Sequence, residues 1–297
     1  MTTIRIGTRG SKLALTQTGL VADRLRAAHP GLDIEIVTIA TAGDRDQSTP
    51  LSSGEGAGWF TTAIQHALSA GEVDLAIHSY KDLPTKRPEG LVIAAVPLRE
   101  DPRDALVSRH QGGLHELPPG SVVGTSSPRR EAQVREVRPD VAVRPIRGNV
   151  ETRVAKVDAG EYDAAVLALA GLRRLGIESR AGHVFGFEEM LPAPAQGALA
   201  VECRADDART RELLDSIDDP AIRVAVTAER VFLAAIDGGC SFPAAAHAEQ
   251  FGTTLKLAGL IAVDGRIIRS KMAGPVATAG SLGRALAEEL MALGGLR

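Results

Sequence analysis

At 297 residues with a net charge of −3, 44% hydrophobic and 24% charged residues, the chain has the composition of an ordinary globular protein, and its length predicts two or three domains. That composition excludes a collagen-like, coiled-coil or disordered chain, and nine aromatic residues without a basic excess give no reason to expect nucleic acid. No run of 18 or more apolar residues occurs, and no apolar segment follows a basic start, so a cytoplasmic protein that neither enters nor crosses a membrane is expected.

In chain order, short apolar runs predict strands over 4–7, 34–39, 75–78 and 91–96, separated by amphipathic stretches over 12–28 and 60–70 that read as helices. A second set follows the polar residues 99–103. Strands are predicted over 105–107, 122–125, 141–146 and 164–169, with helices beginning near Pro128 and Asn149. This alternation predicts two similar α/β lobes with largely parallel sheets. A further strand over 198–203 and helices over 207–217 and 221–235 lead to a different pattern. Strands over 247–250, 254–263 and 266–273, a turn at Asp264-Gly265 and a helix over 281–293 predict a small α+β domain.

The candidate chemistry gathers where strands run into helices. After the strand over 122–125, Ser126-Ser127-Pro128-Arg129-Arg130 places a hydroxyl at an N-cap, proline at the first helical position and two arginines in the first turn. Basic residues there oppose the helix dipole and make sense if an anion neutralises them; two solvated arginines are the alternative. Arg147-Gly148-Asn149, with Arg153 beyond it, and Thr8-Arg9-Gly10-Ser11 repeat the theme. Ligands of open α/β sheets collect at the carboxyl ends of strands, so a multiply anionic ligand is expected, although no nucleotide-binding fingerprint is present.

At another strand end stands His78-Ser79-Tyr80-Lys81-Asp82. Asp82 beside Lys81 reads either as an acid–base pair or as a surface ion pair, and His78 reads as a core histidine. No cluster has metal-ligand spacing, and no metal is expected. Of two cysteines, Cys203 lies in a strand and is expected to be inert, whereas Cys240, in Gly238-Gly239-Cys240-Ser241-Phe242-Pro243, sits in a glycine- and proline-bounded turn. Its spacing alone leaves a reactive thiol and a merely exposed one both open.

Together these residues closely resemble the hydroxymethylbilane synthase, or porphobilinogen deaminase, family. The matching segments begin at Ile6-Gly7-Thr8-Arg9-Gly10-Ser11-Lys12-Leu13-Ala14-Leu15 and His78-Ser79-Tyr80-Lys81-Asp82. They continue through Arg99-Glu100-Asp101-Pro102-Arg103-Asp104-Ala105, Gly124-Thr125-Ser126-Ser127-Pro128-Arg129-Arg130, Ile146-Arg147-Gly148-Asn149-Val150, Leu191-Pro192-Ala193 and Gly238-Gly239-Cys240. The resemblance implies two periplasmic-binding-protein-like (type II) lobes, 1–97 with 196–216 and 98–195, flanking an active cleft. It also implies a small domain over 217–297 that presents Cys240.

By the same resemblance, Cys240 carries a dipyrromethane cofactor through a thioether, and four porphobilinogen units are added head to tail with loss of ammonia before hydroxymethylbilane is released by hydrolysis. Each pyrrole bears acetate and propionate, which call for charge-assisted donors. The matching positions are Lys81, Ser127, Arg129, Arg130 and Arg147 for the cofactor and Arg9, Ser11, Arg153 and Arg174 for substrate. Asp82 matches the carboxylate that assists protonation and faces the cation left by ammonia. Implied partners are porphobilinogen and, downstream, uroporphyrinogen-III synthase, with the chain acting as a monomer.

Several residues depart from the family pattern: Ser53 and Ala57 stand where lysine is frequent in a glycine-rich loop, Tyr80 replaces Met or Leu, Ala195 replaces Gly, and Ser241-Phe242 replaces Gln-Val. They keep open a divergent homologue that binds pyrroles or small carboxylates without full turnover.

Overall fold

A computed structural model describes residues 3–40, 61–236 and 242–296. Ser53, Ala57 and Cys240 lie outside the described residues. The chain divides into two compact units, Met1–Glu100 with Ala198–Arg223, and Asp101–Gly197 with Val224–Arg297.

In the first unit, β1 (Ile4–Thr8), β2 (Ile34–Thr38), β3 (Leu75–Ser79), β4 (Leu91–Ala95) and β10 (Leu199–Arg204) form a sheet in the order β2-β1-β3-β10-β4. β1 runs parallel to β2 and β3, and β10 lies antiparallel between β3 and β4. The helices α1 (Lys12–Ala28), α2 (Thr62–Ser69) and α6 (Ala208–Asp215) accompany it. Ile6, Val21, Leu25, Leu75, Leu199 and Val201 are buried in its core, each such aliphatic side chain contributing about 1.5–3 kcal/mol by leaving water.

The second unit repeats the plan. Its five-stranded sheet has the order β7-β6-β8-β5-β9, built from β5 (Asp104–Ser108), β6 (Val122–Gly124), β7 (Ala142–Arg144), β8 (Ala164–Ala168) and β9 (His183–Val184). β6 is parallel to β7 and β8, and β5 is antiparallel to β8 and β9. Two sheets sharing one arrangement, a parallel core with a single reversed strand next to the last position, are type II periplasmic-binding-protein-like lobes. The helices here are α3 (Pro128–Val137), α4 (Val150–Asp158) and α5 (Leu169–Arg174).

Within the same unit, β11 (Ala244–Phe251), β12 (Thr254–Val263) and β13 (Arg266–Pro275) form an antiparallel sheet. Its inner face packs on α7 (Pro220–Ile236) and α8 (Ala279–Leu293) through Phe232, Leu255, Leu257, Leu286 and Leu290. Asp264 and Gly265, with φ of 50° and 76°, make the tight turn between β12 and β13. Phe242 packs partly buried against this core.

The expected strands and helices are present with ends shifted by a few residues, and the two-residue strand β9 and the helix α5 are additions. For α5 the reason is local. Its residues continue the apolar pattern of β8, and its N-cap Ala168 has no side-chain capping bond, so nothing local marks the helix start. Among the described residues, no helix is long and apolar enough to cross a membrane.

Candidate active site

The carboxyl ends of the parallel strands collect the predicted residues, each unit presenting its own set. In the first, β1 exits through Arg9 and Gly10 to Ser11, whose hydroxyl caps α1 by accepting from the N–H of Ala14 at 3.3 Å. The adjacent β3 exits into a 3-10 turn at Tyr80–Asp82, with Lys81 half-buried and Asp82 exposed. Gln17 Nε2, on α1, donates to Ser79 Oγ at 2.9 Å and so ties the two exits together. Beneath them His78 is a core histidine, its Nε2 3.3 Å from the fully buried Glu202 carboxylate, which also accepts from Gln65 at 3.1 Å.

In the second unit the three parallel strands β7, β6 and β8 end side by side. At the β6 exit, Ser127 is the N-cap of α3 and Pro128 its first residue, as the spacing predicts. Ser126 Oγ donates to the carbonyl of Ile146 at 2.8 Å and accepts from its N–H at 3.1 Å, which brings the Arg147 turn against the start of α3. Gly148 is required there: it has φ of 108°, and a Cβ would sit 2.6 Å from Thr152 Cγ2. Asn149 then caps α4, accepting from the N–H of Thr152 at 2.8 Å, and Arg153 Nε donates to the Gly148 carbonyl at 2.9 Å. From α5, after β8, Arg174 Nη2 donates to the Gly197 carbonyl at 2.6 Å.

Arg129 and Arg130 have a partner that sequence reasoning missed. Both are buried, and both bond to Asp104, Arg129 Nη1 at 2.7 Å and Arg130 Nη2 at 2.7 Å. Gln196 Nε2 donates to the same carboxylate at 2.8 Å. Burial alone would raise the Asp104 pKa, but the two guanidiniums outweigh it and hold the carboxyl far below the usual carboxylate range. Two cations for one anion leave this buried cluster one positive charge in excess. Nearby, Nη1 of Arg147 is buried and finds no acceptor among the described residues. An orphaned guanidinium nitrogen beside an over-positive cluster and two helix N-termini fits a group bearing several carboxylates.

Comparison with known proteins shows the family. A family model described as "Porphobilinogen deaminase, dipyromethane cofactor binding domain" matches residues 4–212, and one described as "Porphobilinogen deaminase, C-terminal domain" matches residues 223–292. The chain belongs to the porphobilinogen deaminase family. Curated porphobilinogen deaminases of Roseiflexus castenholzii and of Roseiflexus sp. strain RS-1 are each 48% identical to it, over 98% and 99% of this chain and 97% of each relative. A solved probable amino-acid ABC transporter extracellular-binding protein of Bacillus subtilis aligns at 13% identity with a TM-score of 0.46, covering 73% of this chain and 90% of that one.

For a porphobilinogen deaminase with two cysteines, Cys203 is a poor attachment point. It lies on the inner strand β10 between β3 and β4, has no exposed surface, and burial pushes its thiol up to about 11. At pH 8 the native protein is expected to leave Cys203 unalkylated by iodoacetamide, while urea-unfolded protein is modified there. Peptide mapping of the two samples checks this, and labelling of native Cys203 at the unfolded rate would contradict the assignment.

Proposed function

We propose that this chain is an active hydroxymethylbilane synthase: it joins four porphobilinogen molecules head to tail with loss of ammonia and releases the linear product by hydrolysis. The observation that carries the reading is the excess of buried guanidinium, Arg129 and Arg130 over Asp104 with Arg147 Nη1 lacking an acceptor among the described residues, at the strand ends of a chain similar to this family along its length. Dipyrromethane, held through a thioether on Cys240 Sγ, supplies an electron-rich pyrrole carbon as the growing end.

Lys81, Ser127, Arg129, Arg130 and Arg147 bind the carboxylates of that group, and Arg9, Ser11, Arg153 and Arg174 bind those of the incoming units. Asp82 gives a proton to the aminomethyl nitrogen as the carbon–nitrogen bond breaks and ammonia departs with the electron pair. Its carboxylate then faces the cation left on the substrate ring. We further propose that the enzyme works as a cytoplasmic monomer and that its product passes to uroporphyrinogen-III synthase.

Incubation with porphobilinogen should yield free linear tetrapyrrole, and binding without release would instead indicate the divergent homologue. Asp82→Asn is expected to keep the fold and the attached cofactor while turnover falls by at least about 10²-fold, the scale of general acid–base catalysis. Near-normal release by that variant would take Asp82 out of the mechanism.

A further inference from the structure

Among the steps above, none uses the carboxylate of Glu229. This residue sits on α7 amid Ala225, Val226, Ala228, Phe232 and Leu233 and has no exposed surface. A carboxylate in such a place needs its oxygens hydrogen-bonded. Oε2 accepts from the backbone N–H of Ala195 at 2.6 Å, and Oε1 accepts from that of Ala248 at 2.8 Å. His247, adjacent on β11 and stacked on Phe187, places Nδ1 3.5 Å from the same Oε1.

These two amides connect the parts that the chemistry requires together. α7 is described as far as Ile236, just before the segment that carries Cys240, and β11 begins at Ala244, just after it. By bonding Ala248 from α7, Glu229 fastens the two stems of that segment to each other. Ala195 leads into Gln196, which donates to Asp104, and Gly197, which accepts from Arg174. Ala195 itself has φ of 61°, the left-handed region that disfavours a residue with a Cβ, and the Glu229 bond holds its N–H in that conformation.

We propose that Glu229 is a positioning residue, joining the stems of the Cys240 segment to the backbone that orders Asp104 and Arg174, so that the growing chain and the arginines that receive its carboxylates keep one register. The proposal rests on Cys240 as the attachment point. Glu229→Gln preserves shape but presents an amide NH2 where one of the two N–H groups needs an acceptor, so one anchor is lost.

In purified full-length Glu229→Gln, intact mass should still show the two-pyrrole adduct, while kcat and kcat/KM fall together by about 10²-fold, the consequence of a misplacement near 1 Å. Glu136→Gln, which removes an exposed partner of Arg269 in the same unit, should leave kcat unchanged. Adduct-bearing Glu229→Gln with wild-type kcat would overturn the proposal, as would an equal loss in Glu136→Gln. Wild-type protein without any adduct would remove the Cys240 reading instead. Amide hydrogen exchange on the wild type is independent of both and of the variant's folding: Ala195 and Ala248 should exchange as slowly as the core of α7, and fast exchange at either overturns the anchoring.

Discussion

Cys240→Ser should abolish turnover, with no adduct on the purified protein. A thiolate attacks carbon far more readily than a serine hydroxyl at neutral pH, so the variant lacks the nucleophile that forms the thioether. The only other sulfur nucleophile, Cys203, is locked in β10 with its thiol pushed up to about 11, and cannot substitute. Intact mass of wild type against variant reads the result directly: an excess of two linked pyrrole units, mapped to the peptide containing Cys240 and missing from the variant. Retention of the adduct after substitution, or release of tetrapyrrole by the variant, would refute the assignment.

Asp104→Asn should be the most damaging change to stability among the residues described. It removes the carboxylate shared by Arg129 and Arg130, both buried, and leaves two guanidiniums without a counter-charge among the described residues. Breaking a buried ion pair from one side costs about 3–5 kcal/mol. Because the Asp104 carboxyl is held far below its unfolded value of about 3.9, its contribution is fully present above that value and is lost as pH falls toward the lower, folded one. Urea unfolding followed at pH 7 and at pH 3 should therefore show a large loss in the variant at pH 7 and a smaller difference at pH 3. Equal midpoints for variant and wild type at pH 7 would show that the cluster contributes little.

The elements set by hydrophobic period and capping chemistry were legible in the residues. Ser11, Ser127 and Asn149 are N-caps where hydroxyl or amide side chains precede a helical pattern, and α1 and β12 occupy the expected spans. The strand-end arginines were also legible as a class, since cations at helix starts are locally unfavourable and so ask for an anion. Their partners were not. Asp104 stands beside a polar stretch that reads as a surface turn, and only the pairing of β5 with β8 carries it inward to Arg129 and Arg130. Glu229 left a faint signal, a carboxylate on the apolar stripe of α7, but its donors come from residues 34 and 19 positions away, and no local rule links them. Ala195 likewise registered only as a departure from glycine until its φ of 61° showed why glycine is usual there.

The placement of β10 bears on how the polypeptide emerges during synthesis. The sheet containing β5 to β9 is built from one continuous stretch, residues 104–184, so all its strands exist as soon as that stretch is made. The other sheet must wait: β3 and β4 are synthesised by residue 95, yet the strand that pairs with both arrives only at 199–204. Long-range pairing of this kind is slow, and during the wait two apolar strands carry unfilled hydrogen-bonding edges. Folding on the ribosome is thus expected to run against chain order, with the middle of the polypeptide acquiring structure before its beginning.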